Sequence, residues 1–283
     1  MERNFDNKAS SKVPPSEGFR EAYTLHLADN ALILGHRNSE WCGHGPVLEQ
    51  DIAITNISLD LIGQARNFYQ YATKIINDSK DPSSIAGETG GGVSEDTLAY
   101  LRSEREFKNC LLVEQPNGDW AKTILRQFLF SVYQFYLYQE LQKSDPDNYR
   151  DEQLAAIAEK SLKEVTYHLR WSSEWVIRLG DGTGESHQRM LNAIDELWPY
   201  TGELFMLTDY ELRVKDEGPD VDVTSLKSKW EEKIKEIFRE ATLPYPGKVF
   251  MQTGGKEGKH TEHLGYILAG LQFMQRAYPG SEW

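Results

Sequence analysis

The sequence predicts an all-α protein. Three observations carry that reading: long stretches with the apolar period of a helix, capping residues at the heads of those stretches, and no alternating run long enough to build a sheet. The most informative stretch is Pro46 to Ala72, which lacks Gly and Pro between Val47 and Ile62 and is rich in helix formers. At about 100° per residue, Glu49, Asn56, Asp60 and Asn67 fall within roughly 40° of one another. Apolar residues flank that row on both sides, Leu48, Ile52, Leu59 and Ile62 on one and Ile54, Ile57 and Leu61 on the other. The spacing therefore predicts a polar row that points inward. A buried polar row costs free energy unless it is partnered. It is either a hydrogen-bond network that fixes helix register or a present or former metal site at the centre of a helical bundle.

The other elements follow in order. Residues 1–18 are polar, have no apolar core of a signal peptide, and are expected to form a disordered arm. Glu21 to Leu34 reads as a helix with Leu25, Leu27, Ala31 and Leu34 apolar. The glycine-punctuated GHRNSEWCGHGP segment groups His36, Trp41 and His44 and is expected to connect two helices rather than to bind metal. After the organising helix, residues 77–94 are Gly- and Ser-rich and lack periodicity, which predicts a flexible loop. Ser94 caps a short helix to Phe107. Pro116, Asn117 and Gly118 make a break, and Asp119 caps a long helix from Trp120 to Leu141. Its aromatics, Phe128, Phe130, Tyr133, Phe135, Tyr136 and Tyr138, surround it, so it is expected to be enclosed or to lie against a second chain.

A third long helix spans Asp151 to Leu179 and ends at Gly180. His168 lies on its apolar face, one turn after Glu164, a spacing that gives the imidazole a partner. Ser186 to Leu207 is a fourth helical stretch with a kink expected at Pro199. A charged loop, DYELRVKDEGPDVDV, then precedes a helix from Ser225 to Ala241 capped by Thr224. The loop ATLPYPGKVFMQTGGKEGKH leads to a final helix, Thr261 to Ala277.

Composition limits the function classes. The net charge of −13 argues against a nucleic-acid surface, and no apolar run approaches the ~20 residues of a membrane span. Two cysteines, Cys42 and Cys110, lie far apart and suit a reducing cytosol. The chain length allows one large helical domain. Against a carboxylate-bridged di-iron bundle, which takes a Glu from each of two helices and a Glu-x-x-His from each of two more, the motifs are broken. Three residues after Glu49 stands Ile52. Three after Glu164 stands Tyr167, with His168 one residue late. The aromatic helix offers Gln127 and Gln134 where a carboxylate is required.

The runs EWCGHGPVLEQDIAITNISLDLIGQARNF, LLVEQPNGDWA, KEVTYHLRWS and TGGKEGKHTEHLG closely resemble the C subunits of bacterial multicomponent phenylacetyl-CoA epoxidases, over about Tyr23 to Trp283. The resemblance implies a ferritin-like helical bundle with additional C-terminal helices, one domain over 19–283. It implies a non-catalytic structural subunit, cytoplasmic, that pairs with a catalytic A subunit, which holds the di-iron centre. The reductase of such a system supplies FAD, an iron–sulfur cluster and NADPH, and the complex epoxidises the ring of phenylacetyl-CoA in aerobic phenylacetate breakdown. No cofactor is expected in this chain, and Glu49, Asn56, Asp60, Glu164 and His168 are expected to form a degenerate metal site or core polar network. The rival is a non-standard iron site made of Glu49, Asp60, Glu164 and His168. The organising and aromatic helices are expected to face the A subunit. Lys256, Lys259 and His260, in a Gly-rich loop before a helix N-terminus, are a candidate contact for a coenzyme A phosphate.

Overall fold

The structure, a computed structural model, describes residues 17–78, 92–143, 151–217 and 221–281. The expected N-terminal arm lies outside these residues except for its last two, and so does most of the expected loop over 77–94. Among the described residues there are helices and no strands.

Two antiparallel hairpins make the bundle. The first pairs α1 (Glu17–Ser39) with α2 (Leu48–Asp78), and the second pairs α5 (Trp120–Leu141) with α6 (Glu152–Gly180). Between them run the short helices α3 (Glu95–Tyr100) and α4 (Leu111–Glu114). After the bundle come α7 (Gly184–Leu197), α8 (Asp209–Glu217), α9 (Val223–Glu240), α10 (Glu262–Leu271) and α11 (Phe273–Ala277). Helices α7 and α9 cover α5, α8 lies on α1, and α10 rests against α1 and α4.

Local chemistry fixes most boundaries. Asp119 accepts from the Lys122 amide and starts α5 at the expected residue, while Gly118 takes the left-handed conformation (φ 58°) in the turn before it. Asp151 accepts from the amides of Gln153 and Leu154 to start α6. Ser94 and Thr97 form a reciprocal cap on α3. Helix α1 runs through Gly35 instead of ending at Leu34. A Cβ at Gly35 would lie 3.1 Å from the Leu61 Cβ and 3.2 Å from the Ser58 carbonyl oxygen, so glycine is what lets α1 and α2 approach there.

Two expectations are corrected. The charged segment after Thr208 is helical as α8, because Tyr210, Glu211 and Val214 turn one face of it into the core. The stretch to Leu207 does not kink as one helix. It stops at Leu197 and continues as two 3₁₀ turns, with Pro199 in the first. Helix α5 is buried on every side from Thr123 to Gln134 by elements of its own chain, the enclosed one of the two alternatives its aromatics allowed.

Candidate functional site

Helix α2 presents its side chains differently from the expected row. The core takes Ile54, Ile57, Leu61 and Phe68, and the other apolar flank, Leu48, Ile52, Leu59 and Ile62, stays in solvent. Glu49 and Asn56 are exposed as a result, and Asp60 and Asn67 are half-buried at the margin. With apolar residues on both flanks, the periodicity of α2 was compatible with either face being inside. Packing against α1 decided it.

The polar centre of the bundle comes instead from one turn of α2, one of α6 and one of α5. Asp60 and Gln64 are four residues apart, as are Glu164 and His168, and the antiparallel helices match them as two rungs. Gln64 Nε2 donates to Glu164 Oε2 at 2.9 Å, and His168 Nε2 meets Asp60 Oδ2 at 2.9 Å. From α5, Gln134 Nε2 donates to Gln64 Oε1 and to the Tyr138 hydroxyl, each at 2.9 Å. One level away, Asn38 donates to Gln127 Oε1 at 2.6 Å and Gln127 donates to Ser131 Oγ at 2.8 Å. The structure thus joins Asp60, Glu164 and His168 of the expected set and leaves Glu49 and Asn56 outside it.

Burial raises the Glu164 carboxyl above its ordinary value; the Gln64 amide opposes that and the Asp60 charge adds to it. Burial likewise raises the Tyr138 hydroxyl, against the donation from Gln134, so it stays a neutral phenol. This centre does not fit a di-iron group. Such a site takes four carboxylates and two imidazoles, whereas here Gln64, Gln134 and Tyr138 are neutral and Asp60 is spent on His168. Among the described residues no three His, Cys, Asp or Glu side chains converge as metal ligands. Gln134 Oε1, Ser161 Oγ and His168 Nδ1 are buried without a partner, and these atoms add no carboxylate to the set.

The loop that carries Lys256, Lys259 and His260 is already filled by carboxylates from its own chain. Glu203 accepts from the amides of Leu111 and Gly254 at 2.7 Å and of Lys256 at 3.3 Å. Lys256 is buried, with Nζ on Glu211 at 2.8 Å and on the Met206 carbonyl at 2.9 Å. His260 Nδ1 lies 2.8 Å from Glu114 Oε2, and its Nε2 lies 2.9 Å from the Phe107 carbonyl. Glu114 also accepts from the Thr261 amide and hydroxyl at 2.7 Å. The phosphate expectation is corrected accordingly: Lys256 and His260 are committed to Glu211 and Glu114, and of the three only Lys259 remains exposed.

Sequence reading missed a second buried ionic group. Asp29 on α1 pairs with Arg102, which also donates to the Tyr69 hydroxyl at 3.0 Å and stacks its guanidinium 4.2 Å from the Phe107 ring centroid. Asp29 further accepts from the Lys108 amide at 2.8 Å. Asn117 of the QPNGD turn likewise serves chain packing, donating to the Arg37 carbonyl at 2.7 Å and accepting from Arg126 at 2.6 Å.

Fold and centre together define a ferritin-like helical bundle with amides and a phenol at its polar centre. The family model for phenylacetic acid catabolic proteins matches residues 15–283, and the chain belongs to that family. It is 48% identical over 262 residues to the C subunit of the 1,2-phenylacetyl-CoA epoxidase of Escherichia coli (strain K12), with 93% of this chain and 98% of that one covered.

Proposed function

We propose that this chain is the C-type subunit of a multicomponent phenylacetyl-CoA ring epoxidase in phenylacetate catabolism, and that its part there is structural rather than catalytic. The observation that carries the reading is the bundle centre, where Gln64 and Gln134 stand in place of ionised ligands and bond Glu164 and Tyr138. Neutral amides cannot hold iron as a carboxylate set does. In this reading the di-iron centre belongs to a catalytic A subunit, FAD, iron–sulfur and NADPH to a reductase, and phenylacetyl-CoA meets the complex rather than this chain alone. Large apolar side chains left in solvent on α2 and near the C-terminus, among them Leu48, Leu59, Phe250 and Tyr266, support a role in assembly. The cytoplasm is the compartment this reading assigns. Among the described residues no helix is long and apolar enough to cross a membrane.

Elemental analysis of the purified chain after anaerobic reconstitution with ferrous iron tests the assignment. Near-zero iron, together with co-purification of the catalytic partner on co-expression, is the expected result. Close to two irons per chain, the di-iron stoichiometry, would make this chain an oxygen-activating subunit.

A further inference from the structure

The segment that leads into α10 is held to the body by polar links rather than by apolar burial. Among the described residues between Leu243 and Leu264 no hydrophobic side chain is buried, and Met251 packs only partly against the core. The regular structure in residues 244–261 is the 3₁₀ turn Gly255–Glu257. Its attachments are the Gln252 amide on the Pro199 carbonyl at 2.8 Å, Glu203 on the Gly254 and Lys256 amides, Lys256 on Glu211, and Glu114 on His260 and Thr261. A segment of that make-up opens at a lower free energy than helices joined through a core.

The last of these attachments depends on a proton. His260 Nδ1 faces Glu114 Oε2, its Nε2 faces the Phe107 carbonyl, and the side chains of both His260 and Glu114 are fully buried. Glu114 also accepts from the Thr261 amide and hydroxyl at 2.7 Å and from Asn109 Nδ2 at 2.8 Å, so the carboxylate is an acceptor throughout. Both ring nitrogens therefore meet acceptors, and only the imidazolium donates from each. A neutral ring leaves one lone pair turned toward an oxygen.

The surrounding charges do not replace that proton. Asp29 of α1 favours the charged ring, while Arg37 of the same helix donates to the Glu114 carbonyl at 3.1 Å and to that of His263 at 3.4 Å. Glu104 and Arg105, with Glu257 and Lys259, line a depression of about 530 Å³ beside the histidine, two acids against two bases. Tyr200 stays a neutral phenol, raised by burial and by the charges of Glu114 and Glu262.

We propose that the Glu114–His260 contact is a protonation-controlled clasp: a charged imidazole seals residues 252–261 against α4, and a neutral one lets that strap open while α1, α2, α5 and α6 stay folded. This goes beyond the subunit reading and does not depend on it. Burial disfavours the charged ring, and the Glu114 hydrogen bond and charge outweigh it, so the closed strap keeps its proton above the ordinary histidine value. The open strap returns His260 to that ordinary value. Opening thus releases a proton, and its equilibrium constant rises by up to about tenfold per pH unit from about 6.5 to the closed-state value.

Site-resolved hydrogen–deuterium exchange of the full chain between about pH 6 and 9, each rate divided by the intrinsic chemical rate, tests the proposal. The amides of Gly254, Lys256 and Thr261 are expected to open more readily than those of α5 at every pH. Their opening is expected to grow at least about threefold across that range, the response of a single proton. His260→Gln, whose amide nitrogen donates toward one acceptor while its oxygen meets the other, is expected to raise opening at pH 6 and to abolish the pH response. Lys259→Gln, at the exposed neighbour, is expected to keep that response. Strap amides as protected as those of α5, a corrected opening that is flat with pH, or a pH response that survives His260→Gln overturns the proposal. The first two outcomes are read on the unmodified chain, so they decide it even where the histidine variant fails to fold.

Discussion

Asp60 and His168 meet at 2.9 Å across α2 and α6, the imidazole fully buried and the carboxylate 35% exposed. The two ends of this bond are therefore unequal. An asparagine at residue 60 still offers an oxygen and has water beside it, whereas truncating His168 leaves a cavity in the core. We expect His168→Ala to cost about 2–4 kcal/mol and Asp60→Asn less than about 1 kcal/mol, read from urea unfolding midpoints. Glu49→Gln is expected to leave stability unchanged, since Glu49 stands in solvent.

Glu164 titrates in the direction set by its burial. Its folded carboxyl binds a proton more readily than in the unfolded chain, so ionising it disfavours the fold, and the loss sets in as pH rises from the ordinary carboxylate value through the raised folded one. Glu164→Gln removes that ionisation and keeps an oxygen for Gln64. A gain of about 1–3 °C in Tm at pH 7.5, absent at pH 4, is the expected outcome of thermal scans at the two values.

Two histidines give stability opposite slopes with pH. Burial lowers His26 to about 4, so the unfolded chain takes up its proton first and stability falls as pH drops from about 6.5 to 4. Burial also works against a charged His260. The Glu114 hydrogen bond and charge, with the Phe107 carbonyl, outweigh it and raise His260 above its ordinary value. The stabilisation from His260 is complete below about 6.5 and is lost as pH rises through the folded value. His260→Gln is expected to lower Tm more at pH 6 than at pH 9, and His26→Gln to flatten the acid limb between pH 6.5 and 4.

The Asp29–Arg102 pair is fully enclosed. Arg102→Met leaves the buried carboxylate without its counter-charge, still accepting from the Tyr69 hydroxyl and the Lys108 amide, and is expected to cost about 3–5 kcal/mol in denaturant unfolding. Asp29→Leu combined with Arg102→Met is expected to cost less than the two single changes together, because neither buried charge is left alone.

Much of the scaffold was legible because its signals are local. Asp119 and Leu141 bound α5 as its caps and period require, Ser94 caps α3, and the broken Glu-x-x-His spacing is visible in Ile52 and Tyr167 without coordinates. The orientation of α2 was not legible, because two apolar flanks compete for the core and only α1 chooses between them. Gln64, one turn beyond Asp60, was hidden for the same reason. Asp29, Glu114 and Glu203 carry no local signature, since partners such as Arg102, Thr261 and Gly254 lie between 51 and 147 residues away, whereas Thr208 and Glu211 form a reciprocal cap on α8 that the T-x-x-E spacing shows. Charge in α8 read as loop although Thr208 and Glu211 have the spacing of a helix cap; what the segment could not announce is that Glu211 faces a buried lysine.

Glu114 and Glu203 wait on the last stretch of the chain. Until residues 254–261 arrive, both carboxylates face an interior that gives them neither the Gly254 amide nor the Thr261 amide. A chain cut short before Gly254 therefore leaves Glu203 and Glu114 without these donors, and closing the core around the two carboxyl groups would cost free energy that the full chain avoids.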